Sequence, residues 1–249
     1  MPITQASIVE CNLESTVFNM IISNDWEQFR IETLATKEPE TVRWILDNFR
    51  AGDTLFDIGA NIGVYSILAA AHNPAGVVVA VEPMAASFAR LCQNALINEL
   101  HNVRPYCVAI SAANGLATLN LSSMQAASSM HSLDSAPMTE SFGETVVTRT
   151  GIGLATIDAL ASAAGVPSLM KIDVDGAEDS VLAGAGAVLR DRRLRTVLIE
   201  FNWTGHGARD ADRDEPLRRT GFLPVAAGAM HERGSVKWQN TIYTRTSPS

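Results

Sequence analysis

The run Thr54-Leu55-Phe56-Asp57-Ile58-Gly59-Ala60-Asn61-Ile62-Gly63-Val64-Tyr65-Ser66 constrains this chain more than any other stretch. Leu55, Phe56 and Ile58 predict a short buried strand, and Val64 to Ala71 predicts a helix with little in it to break it. Between them lies a turn cornered by Gly59 and Gly63. A junction of this kind aims the first backbone amides of the helix at the crevice above the strand, where open α/β sheets bind ligands. Asp57 puts a carboxylate at the strand end, which repels a polyphosphate and suits a cation or a hydroxyl. The backbone must approach a ligand and the helix must pack on the strand, so both glycines are expected to reject larger side chains.

The next strand, Val77-Val78-Val79-Ala80-Val81, ends in Glu82, 25 residues after Asp57. An acid at that place in a strand–helix–strand unit suits a ribose diol. Three readings are open at this point. A dinucleotide-binding oxidoreductase wants Gly-x-Gly-x-x-Gly, and the turn here lacks the middle glycine. An ordinary structural turn leaves the paired acids unexplained. A nucleoside that carries a positive charge accommodates both.

Along the rest of the chain, Thr16 to Ile22 and Phe29 to Leu34 are expected to pair as two strands about a Ser23-Asn24-Asp25 turn. Residues 1–36 would then form an N-terminal appendage, a hairpin or lid, on a main domain of residues 37–249. Glu38-Pro39-Glu40 opens a helix whose apolar face is Val42, Ile45, Leu46 and Phe49. Beyond the second core strand, Met84 to Leu100 is expected to be a helix turning Phe88, Leu91, Ala95 and Leu96 inward. Val103 to Ile110 reads as the third strand and Gly115 to Leu121 as an extra one. Ser122 to Glu144 reads as a loop over the site. Val146 to Thr150 and Leu169 to Asp173 read as strands, Thr156 to Ala164 as a helix. A further helix runs to Leu189. Arg195 to Phe201 is the fifth core strand, Glu215 to Thr220 the last helix, and Phe222 to Val225 with Thr241 to Thr244 closes the sheet. Strands alternating with helices predict a mostly parallel sheet covered on both faces.

Two later stretches carry acids to strand ends. In Lys171-Ile172-Asp173-Val174-Asp175-Gly176-Ala177-Glu178, Asp173 closes an apolar strand, where a carboxylate has no helix to cap. Desolvation there should raise its pKa unless a cation compensates. Asp175 and Glu178 can equally serve the start of the following helix. In Val197-Leu198-Ile199-Glu200-Phe201-Asn202, Glu200 is buried and needs a partner, either Lys171, an arginine, or an acceptor substrate. His206, between glycines in the loop after that strand, is a candidate base. His131 and His231 are weaker candidates, and no two-histidine-plus-acid spacing announces a metal.

These three stretches together resemble the FkbM-type S-adenosylmethionine-dependent methyltransferases, over about Glu38 to Asn202. The resemblance implies a class I methyltransferase, Rossmann-like, with a seven-stranded mostly parallel sheet whose last strand runs antiparallel. It implies S-adenosylmethionine as cofactor, with a divalent metal allowed but not indicated. Cofactor contacts would come from Asp57, Gly59, Asn61, Gly63 and Tyr65 around the turn, and from Glu82 and Pro83 after the second strand. Glu38, Ser111 and Asp173 complete that set. Asp173, Glu200 and His206 are the catalytic candidates, for O-methylation of a sugar or secondary metabolite in natural product biosynthesis. The family usually has Glu where this chain has Asp175. Two alternatives remain: a nucleotide-cofactor oxidoreductase, and a non-catalytic nucleoside-binding scaffold.

The totals agree with that class. At 249 residues the chain can bury a large core. A net charge of −8 without a long basic block argues against a nucleic-acid partner, and no apolar run is long enough to span a membrane. The three cysteines are too scattered for a zinc site or a disulfide framework, and Met1-Pro2-Ile3-Thr4-Gln5 does not open a signal peptide. A small-molecule acceptor and a cytoplasmic home are the expectations.

Overall fold

The computed structural model describes residues 6–133, 145–203, 212–233 and 236–246. The chain opens with a hairpin of β1 (Ser7–Leu13) and β2 (Thr16–Ile22), paired antiparallel. Phe18 and Met20 of β2 are buried in the same cluster as Trp44, Ile45 and Leu68, so the hairpin shares the main core. The side-chain oxygens of Asn94 and Asn98 accept from the amides of Ile21 and Asn19, fastening β2 to the helix that carries them.

Phe29 to Leu34 is not the second arm of that hairpin. Asp25–Glu32 is helix α1, capped by Asn24, whose side chain accepts from the Glu27 amide at 3.0 Å. Glu27 reaches back to the Ser23 amide at 2.6 Å, so the two side chains close a reciprocal cap that favours helix over strand. Helix α2 (Pro39–Asn48) starts on its proline as expected and buries Val42, Trp44 and Ile45.

The main sheet is built from β3 (Thr54–Ile58), β4 (Val77–Val81), β5 (Val103–Tyr106), β10 (Leu169–Ile172), β11 (Thr196–Trp203), β12 (Phe222–Ala227) and β14 (Val236–Arg245), ordered β12-β14-β11-β10-β3-β4-β5. A short β13 (His231–Arg233) also pairs with β14, making eight strands rather than seven. The five strands from β11 to β5 are parallel, and β14 runs antiparallel between β11 and β12. The expected Val103–Ile110 strand is broken: β6 (Ala109–Ile110) leaves the sheet. It joins a second sheet with β7 (Gly115–Leu121), β8 (Ser132–Leu133) and β9 (Thr148–Ala155). A continuous apolar run carries no mark of the residue where a strand changes partner.

Helices α3 (Val64–His72) and α4 (Ala85–Ile97) pack with α2 and the hairpin on one face of the main sheet. Leu96 is 76 % exposed, contrary to expectation; α4 buries Ser87, Leu91 and Asn94 instead. Helices α5 (Ile157–Ala164), α6 (Glu178–Ala183) and α7 (Glu215–Arg219) lie toward the other face. Helix α6 ends at Ala183 with Gly184 as its C-cap, well short of Leu189, and the Ser111 carbonyl passes 2.3 Å from where a Gly184 Cβ would be, so glycine alone fits there. The parallel strands all point their carboxyl ends at one rim, where the Gly59 turn, Glu82, Asp173 and Glu200 converge.

Candidate active site

The turn after β3 visits the left-handed region three times, at Gly59 (φ +82°), Asn61 (φ +53°) and Gly63 (φ +84°). A Cβ on Gly59 would lie 1.8 Å from the Asp173 carbonyl oxygen, and one on Gly63 would lie 3.0 Å from Leu91 of α4. The crowding that forbids side chains thus comes from the neighbouring strand end and helix rather than from the cavity. Asn61 suits its left-handed position and anchors two walls. Its amide donates to Glu82 Oε2 at 2.8 Å and its Nδ2 to the Ser128 carbonyl at 2.8 Å.

Glu82 is buried, with Oε1 accepting the Met84 amide at 2.8 Å. Burial pushes its carboxyl up to about 7, against the pull of those two amides. Each oxygen keeps a second lone pair for a diol. Pro83, Val108, Ala109, Ile110, Leu119 and Leu133 supply apolar lining to the same cavity, which suits a base. Ser111 stands just beyond that lining, its amide bonded to the Ala155 carbonyl at 2.9 Å, and does not line the cavity.

Below the turn runs a buried ion network. Asp57 stands one residue short of the strand end and turns toward α3, where it accepts from the Ser66 hydroxyl at 2.5 Å. Its other oxygen lies 3.8 Å from Lys171 Nζ, opposite it in the β3–β10 register. Asp57 therefore sits behind the cavity and does not line it. Lys171 Nζ is 2.9 Å from Asp173 Oδ2 and 5.1 Å from the centre of the Tyr65 ring. Burial opposes the charge on Lys171, but Asp173 and Asp57 win and hold its pKa above the ordinary value. The Tyr65 hydroxyl donates to Glu38 Oε2 at 2.9 Å, and Lys37 pairs with Glu38 Oε1 at 2.7 Å.

Asp173 faces the cavity. Burial would raise its carboxyl, yet the Lys171 ammonium holds it below the usual range, the compensation that a strand-end acid requires. Asp175, in a left-handed conformation (φ +49°), accepts the Met130 amide at 2.8 Å. Burial and the charge of Asp173 push it up to about 6. Glu178 turns away to the Gly176 amide, Asn202 and Arg213, a structural role. Glu200 lines the cavity, 8 % exposed, and among the described residues no hydrogen bond or ion pair reaches its carboxylate. Burial first, then the charges of Asp173 and Glu38, push its pKa well above the usual carboxylate range.

His206 lies outside the described residues. His131 also lines the cavity; its Nδ1 accepts from the Ser122 amide at 3.3 Å, so Nε2 donates to the Ser128 hydroxyl at 3.1 Å. Burial pushes His131 down to about 4, leaving it a neutral brace for its loop. His231 stacks on Trp238 with ring centres 5.6 Å apart. Among the described residues no group of three His, Cys, Asp or Glu is placed to hold a metal.

The cavity these groups enclose measures about 350 Å³ and opens beside Trp26, Phe29 and Arg30 of α1. Sequence reasoning missed those three. A cap signal at Asn24 and Glu27 was present, but the apolar residues after it suggested a strand. A larger groove of about 500 Å³ lies at the opposite end of the sheet, walled by Arg190, Arg192 and Arg219. It collects none of the strand-end acids, and the smaller cavity is the one with convergent polar groups and shifted pKa values.

The methyltransferase FkbM domain matches residues 57–223, well over half of the chain. The chain belongs to the FkbM methyltransferase family. Membership makes it an S-adenosylmethionine-dependent methyltransferase. No curated protein sequence matches it. Among solved structures, magnesium protoporphyrin IX methyltransferase from Synechocystis PCC 6803, with bound S-adenosylmethionine, is similar at 13 % identity and a TM-score of 0.52, covering 90 % of this chain and 85 % of that one. A precorrin-6y C5,15-methyltransferase from Geobacter metallireducens GS-15 is 13 % identical, with a TM-score of 0.48 and coverage of 83 % and 88 %. An rRNA methylase from Streptococcus thermophilus is 9 % identical, with a TM-score of 0.47 and coverage of 84 % and 95 %. The likeness to the Synechocystis structure, at 13 % identity, speaks to fold alone: this FkbM chain has the class I methyltransferase architecture. No described helix is long and apolar enough to cross a membrane.

Proposed function

We propose that the protein O-methylates a hydroxyl of a small acceptor, a sugar or a secondary metabolite made in natural product biosynthesis. The observation that carries this reading is Glu200: a buried carboxylate with no partner among the described residues, lining the cavity beside an ionised Asp173. The donor set fits the cofactor. Glu82 and the apolar lining after Pro83 suit an adenosine, with Glu82 receiving the ribose diol, and Asp173 and Glu38 suit its cationic end. S-adenosylmethionine, when bound, supplies a methyl group made electrophilic by a positively charged sulfur.

An alcohol is a poor nucleophile, so what the chain itself must supply is alignment and a proton acceptor. Glu200 takes the hydroxyl proton; a carboxylate whose pKa lies above its usual range is a stronger base and gains more from doing so. Asp173 stays ionised beside Lys171 and accepts a hydrogen bond that orients the acceptor. The base is assigned to Glu200 rather than to Asp173 because a carboxylate held low by an ammonium makes the weaker base. Base catalysis of this kind is worth roughly 10²- to 10⁴-fold.

The acceptor is proposed to be free of phosphate at its reacting end. Asp173, Asp175 and Glu200 share the cavity floor and would repel it, which also weighs against nucleic acid. Three free cysteines fit a reducing, cytoplasmic setting. The test is transfer of a labelled methyl group to a panel of sugars, sugar phosphates, hydroxylated macrocycles and RNA. Label on a neutral hydroxyl is expected. Label on RNA or on a nitrogen would overturn the acceptor class, and affinity for NAD in place of S-adenosylhomocysteine would favour an oxidoreductase.

A further inference from the structure

A separate small pocket of about 40 Å³ lies beside the cavity beneath α1; it shares Arg30, Lys37 and Asp173 with the cavity and adds Glu38 and Tyr65. Most of the charge there is spent within the protein. Glu38 takes the Tyr65 hydroxyl and the Lys37 ammonium, and Lys171 is matched to Asp173. Arg30 is the exception. Its Nε donates to the Ala127 carbonyl at 2.7 Å, and among the described residues neither terminal nitrogen makes a hydrogen bond or ion pair. Arg30 borders both the main cavity and the side pocket.

A guanidinium fixed through Nε and free at its two terminal nitrogens presents a planar fork matched to a carboxylate. We propose that Arg30 binds the α-carboxylate of the cofactor's amino-acid portion, so that α1, ahead of the matched family domain, supplies part of the cofactor site. The inference rests on the S-adenosylmethionine reading above. The amino-acid portion is a zwitterion: Asp173 and Glu38, though each already holds a lysine, keep lone pairs that can accept the ammonium, and Arg30 alone among these groups has a charge left for the carboxylate. Lys37 is the competing cation, but it is held on Glu38 at 2.7 Å. The Arg30 charge lowers the carboxyl pKa of Glu82, Asp173 and Asp175 alike, which puts it within electrostatic reach of both ends of the cavity. Asn24 Nδ2 donates to the Ala126 carbonyl at 3.2 Å, so α1 is tied at two points to the segment that carries Ser128 to Leu133. Cofactor binding at Arg30 would therefore steady the cavity mouth as well.

The experiment is calorimetry on the full chain with S-adenosylhomocysteine and its decarboxylated analogue, which keeps the amine. The wild type is expected to prefer S-adenosylhomocysteine by about tenfold or more, the usual worth of a hydrogen-bonded charge pair. Arg30→Met is expected to erase that preference while the analogue's affinity changes less than about threefold. Equal binding of the two ligands by the wild type, or a preference that survives Arg30→Met, overturns the proposal. So does a preference erased by Lys37→Met and kept by Arg30→Met. If Arg30→Met does not fold, Arg30→Lys decides: the lost fork must shrink the preference severalfold, and an unchanged preference overturns the proposal. A wild type that binds neither ligand overturns the cofactor reading itself, and Arg30 with it.

Discussion

Glu82 and Glu200 stand at opposite ends of one cavity, both buried and both pushed above the usual carboxylate range by that burial. They differ in what holds them. Two backbone amides at 2.8 Å fix the oxygens of Glu82, from Asn61 and Met84. Among the described residues nothing fixes Glu200. A carboxylate clamped by main chain is a permanent acceptor, suited to a group that every turnover presents in the same place, such as a ribose diol. A carboxylate without a clamp can gain and lose a proton without breaking the fold around it. The same desolvation thus yields a binding residue at one end and a proton acceptor at the other, and neighbours rather than burial divide the roles.

The largest effect expected from breaking this contrast is on turnover. Glu200→Gln keeps shape and removes the base, so kcat should fall by roughly 10²- to 10⁴-fold. The wild-type pH profile should rise through a pKa above the usual carboxylate range, and that limb should vanish in the variant. Near-native turnover in Glu200→Gln would move the base to His206 or elsewhere.

At the other end, Glu82→Ala should weaken S-adenosylhomocysteine by about ten- to a hundredfold, the worth of roughly 1.5–3 kcal/mol for bonds to a charged group. Circular dichroism should stay near native, because Glu82 ends a strand. Unchanged affinity in a folded variant removes the ribose assignment.

The amount of this that the sequence made legible follows from distance along the chain. The acids at strand ends and the glycine turn could be read because strand, turn and helix are local patterns with fixed periods. That the core strands run parallel followed from the same alternation; their order in the sheet did not. What stayed hidden depends on contacts far apart in sequence. Lys171 meets Asp57 only through the β3–β10 register, and nothing local shows that Glu200 would be left without a partner, whereas the Lys171–Asp173 pair, two residues apart on one strand, was open to a local reading. Arg30 reaches the cavity only because α1 is a helix, and its apolar residues alone resembled a strand. The Gly59 contact with the Asp173 carbonyl has the same character: the glycine was legible and its reason was not.

A smaller effect sharpens the comparison through pH. Glu82 takes both hydroxyls of a diol at full strength only when ionised, and its pKa is pushed up to about 7. Affinity for S-adenosylhomocysteine should therefore be level above that pH and fall as pH drops below it, by up to about tenfold per unit. Glu82→Gln should remove that slope, and a pH-independent wild type would contradict the assignment.

The smallest effect is on stability. Raising the folded-state pKa of an acid means that the folded chain holds a proton which the unfolded chain has released. Wild-type stability from Glu200 is therefore greatest at low pH and is lost as pH rises toward the elevated folded-state pKa. Glu200→Gln lacks this loss, so its Tm relative to wild type should climb by a few degrees from about pH 5 to about pH 8. Asp173→Asn should instead lower Tm throughout that range, because it strips the buried Lys171 of its nearest anion.

The division between the two ends is tested most directly by calorimetry with S-adenosylhomocysteine on three proteins at about pH 8, above the point where Glu82 is ionised. The account predicts binding by the wild type, binding weakened about ten- to a hundredfold in Glu82→Ala, and binding within about threefold of wild type in Glu200→Gln. A loss in Glu200→Gln as large as that in Glu82→Ala would make Glu200 a cofactor ligand and contradict the account.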